Sequence, residues 1–87
     1  MHAVVATVRV EDPVLARAAL TNLRTDLVPR APGFVSAYWP EPVDGTGLSV
    51  IVFETKEHAE QAAAYPLPPL PGVTPLTLQI REVYASA

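Results

Sequence analysis

The chain is 87 residues long, 49% hydrophobic, and carries six Lys and Arg against nine Asp and Glu, a net charge of −3. That length supports one core, so residues 1–87 are read as a single domain. The acidic balance and the single lysine, Lys56, exclude a phosphate-backbone partner and an anionic membrane surface. The lack of cysteine excludes disulfides and thiolate metal sites.

Met1 to Ala6 is apolar but lacks the charged region that opens a signal peptide, and no stretch reaches transmembrane length. A soluble cytoplasmic protein is the expectation. Val4, Ala6, Val8 and Val10 alternate with Ala3, Val5, Thr7 and Arg9, which predicts a first strand. Asp12-Pro13 supplies a capping oxygen and a pre-set φ for a helix. Along it Leu15, Ala16, Ala19, Leu20, Leu23 and Leu27 share one side, and Arg17, Thr21, Arg24 and Thr25 the other. Pro29 ends it.

Phe34 to Trp39 and Leu48 to Glu54 read as the two strands of a hairpin, joined through Pro40, Pro42, Asp44, Gly45 and Gly47. Thr55 caps a second helix whose inner side is Ala59, Ala62 and Ala63, small enough to bring its axis close to a sheet. Pro66 stops that helix, and the prolines from Pro66 to Pro75 make a stiff connector that no inner strand could contain. Leu76, Leu78 and Ile80 alternate with Thr77, Gln79 and Arg81, a fourth strand running to about Tyr84.

The order β-α-β-β-α-β is the ferredoxin-like split pattern, an α+β fold with a four-stranded antiparallel sheet and both helices on one face. The strands are apolar on both sides, with Val4, Val8, Val50 and Val52 pointing one way and Val5, Ile51 and Phe53 the other. A sheet with one wetted face alternates apolar with polar, so the second face requires cover. A homodimer packed sheet against sheet is the expectation. Its face would carry Val4, Ala6, Val8, Val35, Ala37, Leu48, Val50, Val52, Leu78 and Ile80.

Pro32-Gly33-Phe34 opening the second strand, and Val50-Ile51-Val52-Phe53-Glu54-Thr55-Lys56-Glu57-His58-Ala59 joining strand to helix, resemble the dimeric α+β-barrel superfamily. Within it they are similar to the antibiotic-biosynthesis-monooxygenase-like (ABM) domains, over essentially the whole chain. The resemblance implies a cleft between sheet and helices and a terminal strand reaching toward a partner. The activities it implies are cofactor-independent oxidation of phenolic aromatics or haem degradation. Haem degraders of the family share an asparagine on the first strand, a tryptophan ending the third and a histidine after the second helix. Here those places hold Thr7 or Val8, then Phe53, then Ala64-Tyr65-Pro66. Haem degradation is therefore not expected, and no cofactor is implied.

Only two histidines exist, His2 and His58, and no converging ligand set predicts a metal site. The aromatics carry more weight. With Trp39 opposite Leu48, residues Phe34, Ser36, Tyr38, Ser49, Ile51 and Phe53 share a face, and a one-residue slip exchanges the sets. Thr7 joins that face, with Arg9, Gln79 or Arg81 as a further polar residue, and Tyr65 stands near the cleft mouth. Thr7, Phe34, Tyr38, Phe53, Tyr65 and Arg81 are thus the candidate ligand-binding residues, against the plainer alternative that they fill a core. Two functions stand: the cofactor-independent monooxygenase acting on a small phenolic compound that the resemblance implies, or a non-catalytic dimeric module for ligand binding or assembly. An RNA-binding split-βαβ domain is excluded, since the central strands lack exposed aromatic and basic residues.

Overall fold

A computed structural model of the chain describes residues 1–65 and 70–87. Strand β1 spans His2–Val10, helix α1 Pro13–Asn22, strand β2 Phe34–Tyr38, strand β3 Thr46–Phe53, helix α2 Lys56–Ala64 and strand β4 Val73–Glu82. The strands form one antiparallel sheet in the order β2-β3-β1-β4. This α+β arrangement is compatible with a ferredoxin-like fold. The expected helix stop at Pro66 and the first part of the proline connector, 66–69, lie outside the described residues.

Both helices begin where their caps predict. The Asp12 carboxylate accepts from the backbone N–H groups of Val14 and Leu15 at 3.0 and 3.1 Å, with Pro13 following at the first helical position. The Thr55 hydroxyl accepts from the His58 N–H at 3.1 Å. Helix α2 packs through Ala59, Ala62 and Ala63 onto Val4, Ile51, Phe53 and Ile80. Phe53 is 1% exposed and Ala59 fully buried, so this contact is the centre of the core. The alanines leave no bulk between helix axis and sheet, as the sequence predicts.

Beyond Asn22 the first helix changes character. Leu23–Leu27 form a π turn, in which Val28 N–H donates to the Leu23 carbonyl, and Val28–Arg30 a 3₁₀ turn. Three residues account for this. Thr21 and Thr25 turn their hydroxyls back onto the carbonyls of Arg17 and Thr21, at 3.0 and 2.9 Å, which bends a helix. Pro29 has no N–H to offer and its ring crowds the carbonyl four residues earlier, so the α ladder cannot continue.

Register corrects two expectations. Val4 pairs with Ile51 and Val5 with Val50, so Val4 and Val8 share a face with Ile51 and Phe53, not with Val50 and Val52. In the hairpin, Phe34 faces Phe53 as expected, but an irregularity between Phe34 and Ser36 then pairs Ala37 with Ile51 and Tyr38 with Val50. One extra residue on β2 shifts all later partners by one place and exchanges their faces. Tyr38 and Ser36 therefore lie opposite Phe34 and Phe53. The open face, away from α2, holds three main rows: Ser36-Val52-Ala3-Arg81, Tyr38-Val50-Val5-Gln79, and Leu48-Thr7-Thr77. Its apolar part lies over β1 and β3, while its β4 edge is polar. The expected dimer face is corrected accordingly, because Val4 and Ile80 lie against α2. Strand β4 begins at Val73, earlier than expected, and takes in Pro75 beside a second irregularity, which an edge strand tolerates.

Candidate functional site

The six sequence-derived candidates do not converge. Phe34 and Phe53 pair on the helix-bearing face, with Phe53 closed into the core. Thr7, Tyr38 and Arg81 occupy three different rows of the open face. Tyr65 caps the C-terminus of α2, its N–H donating to the Ala62 carbonyl, with its ring largely in solvent. The shared face expected for Thr7, Phe34, Tyr38, Phe53 and Arg81 is thus overturned by the β1 register and the β2 irregularity. Thr7 spends its hydroxyl on Thr77, 2.5 Å away.

A groove opens instead between the end of the first helix and β2. Leu20, Arg24, Val28 and Pro29 form one wall; Phe34, Ala37, Tyr38 and Trp39 form the other, around a volume of ≈ 360 Å³. That volume lies toward the lower end of the ~300–1,000 Å³ typical of small-molecule sites. The groove exists because α1 covers its sheet face incompletely. No residue of α1, or of the turns after it, is fully buried, whereas α2 closes tightly on its alanines.

Local structure sets each wall. Arg24 lies one turn beyond Leu20, at the four-residue spacing that puts two helical side chains on one stripe, so both line the groove where the π turn begins. Pro29 fixes the 3₁₀ turn that brings Val28 against the same space. On β2, the slip after Phe34 puts Ala37 on the groove side and sends Tyr38 to the open face, so Tyr38 serves only as the outer lip. Phe34, Trp39, Leu20 and Val28 are half-buried, leaving apolar surface within reach of a ligand. Among the described residues the lining holds one cation, Arg24, and no carboxylate or imidazole. A π turn beside a pocket is a frequent feature of functional sites. In the sequence its signal is Thr21, Thr25 and Pro29 together, four residues apart.

Other polar features are structural. The His58 ring sits beside Gly33, and its Nδ1 is 2.8 Å from the Thr55 hydroxyl. The half-buried His2, in the row Phe34-Phe53-His2-Glu82, leaves its Nδ1 buried with no hydrogen-bond partner among the described residues. A second depression, ≈ 410 Å³, lies on α1 itself and is lined by Pro13, Val14, Arg17, Ala18 and Thr21. All five belong to one helix, so it has a single wall and cannot enclose a ligand. Among the described residues no cluster of three or more His, Cys, Asp or Glu could hold a metal ion. Among the same residues no helix is long and apolar enough to cross a membrane.

No protein-family model, no curated protein and no solved structure matches the chain.

Proposed function

We propose that the chain is an ABM-like homodimer whose α1–β2 groove binds a small aromatic compound. The observation that carries this reading is the groove lining: Phe34 and Trp39 facing Leu20 and Val28. Aromatic and branched side chains in a half-open slot favour a flat apolar ring, and a few polar groups at its rim orient it.

Binding, not catalysis, is the function this lining supports best. Abstracting a phenolic proton needs a base within hydrogen-bonding reach. The described lining offers a guanidinium, which cannot take a proton, and the Tyr38 hydroxyl at the lip. One feature favours the oxygenase reading nonetheless: Arg24 could stabilise a phenolate or the oxyanion that develops from it.

The ferredoxin-like split order and the dimeric barrel belong to the same proposal. The strand order β2-β3-β1-β4, antiparallel throughout, supports the first. The second is supported by surface area. The chain exposes 6198 Å², whereas a folded monomer of this mass exposes roughly 5,000 Å². An excess of roughly 1,200 Å² is on the scale that one partner contributes to a standard interface, about 800 Å². The open-face rows centred on Val5, Val50, Val52 and Leu48 are the apolar part of that surface. Two copies meeting about a two-fold axis cover it with one self-complementary patch.

The test is a titration with 2-naphthol, followed through the indole N–H resonance of Trp39, the chain's one tryptophan, with dissolved oxygen recorded in parallel. A saturable shift without oxygen uptake supports the binding module. Saturation with stoichiometric oxygen uptake supports the oxygenase. No shift across a panel of one- to three-ring phenols would remove the groove as the site.

A further inference from the structure

We infer that the groove selects aromatic carboxylates, with the Arg24 guanidinium as the anchor for the carboxylate. This rests on the groove being a ligand site and adds the chemical class of its ligand.

The charge of the lining points there. Among the described residues one permanent cation and no acidic group border a mainly apolar slot, so an arriving anion meets attraction without an opposing carboxylate in that lining. Guanidinium presents parallel N–H donors that match the two oxygens of a carboxylate, a geometry that a lone phenolic oxygen cannot use fully. The aromatic wall lies on the other side of the groove: Phe34 and Trp39 sit across from Arg24. A ring lying against that wall therefore directs a substituent on its opposite edge toward the guanidinium.

Helical position supports the assignment independently of charge. Arg24 lies four residues after Leu20, the spacing that sets two side chains one above the other on a helix, and both line the groove. The guanidinium is thus held beside the apolar wall, at the start of the π turn Leu23–Leu27, a kind of turn frequent at functional sites.

Arg24 is exposed, so water and salt screen the contact and its effect is modest. A preference of about fivefold for the anion over its neutral isostere is expected, at the upper end of exposed ion pairs. It weakens as salt rises.

The experiment compares 2-naphthoate with 2-naphthamide, equal in shape and different in charge. Both are titrated by calorimetry and by the Trp39 indole resonance into wild type, Arg24→Gln and Arg24→Lys. The expected result is tighter binding of naphthoate by wild type, loss of the preference in Arg24→Gln through weaker naphthoate binding, and partial recovery in Arg24→Lys. Circular dichroism confirms that the variants keep the fold. Equal affinities in wild type, with Trp39 shifting, would overturn the carboxylate assignment and leave the groove as an aromatic site. If neither compound shifts Trp39, the groove reading fails and the assignment falls with it.

Discussion

Gly33 and the ring of His58 occupy adjoining space so closely that no side chain fits between them. A β-carbon on Gly33 would lie 2.8 Å from the His58 β-carbon and nearer still to its ring, and Gly33 already adopts φ +76°. The Gly33 carbonyl accepts from the Glu54 N–H at 2.8 Å, and Thr55 holds the His58 ring. The entry to β2, the exit of β3 and the first turn of α2 therefore meet at one glycine. Gly33→Ala combines a left-handed conformation with overpacking and should cost about 2–4 kcal/mol. Urea denaturation measures it. The double variant with His58→Ala should cost less than the sum of the single changes, because it removes the steric part.

Phe53 is the largest fully buried side chain among the described residues, and Val4 and Ala59 close around it. Phe53→Ala should destabilise by about 3–5 kcal/mol. That is a large share of the stability of a domain this small, so the variant should lose much of its thermal transition. A change below about 1 kcal/mol would mean that the core is centred elsewhere.

Pro29→Ala should act on the groove through the backbone as well as through the wall that Pro29 lines. It restores an N–H that can donate to the Thr25 carbonyl and removes the ring that crowds it. The π and 3₁₀ turns should relax toward α-helix, raising the far-ultraviolet helical signal. Val28, which follows the π turn in the groove wall, would then shift, and affinity for 2-naphthoate should fall. Unchanged helicity with unchanged affinity would show that Pro29 does not set the turn.

Sequence revealed the elements well because their signals are local. Asp12-Pro13 and Thr55 mark the helix starts, valine alternation marks β1, and Ala59, Ala62 and Ala63 name the face of α2 that the structure buries. The faces of the sheet were less legible. Val4 and Val5 are both apolar, so alternation cannot say which one meets the helices; only pairing with Ile51 and Val50 decides. The irregularity after Phe34 carries no glycine or proline to announce it, and it alone moves Tyr38 away from Phe34 and Phe53. Arg24 borders the polar side of its helix one turn beyond Leu20, so the pattern groups it with the solvated residues, and only the packing of β2 opposite makes a groove there.

Val50 lies at the middle of the open face, between Tyr38 and Val5. Placing a charge there should prevent two sheets from meeting while sparing the α2 core on the other side. Wild type should elute with the mass of two chains by light scattering at micromolar concentration, and Val50→Lys with the mass of one or as aggregate. A wild-type mass of one chain would contradict the proposed dimer.

The location of the ligand site is the claim from which the rest follows, and amide shift mapping tests it most directly. Uniformly ¹⁵N-labelled protein titrated with 2-naphthol should show saturable shifts at Leu20, Val28, Phe34, Ala37 and the Trp39 indole, with Ala59 to Ala63 unmoved. Shifts confined to the open face, at Val5, Thr7, Val50 and Gln79, or to Pro13 through Thr21 without β2, would contradict the α1–β2 groove as the binding site.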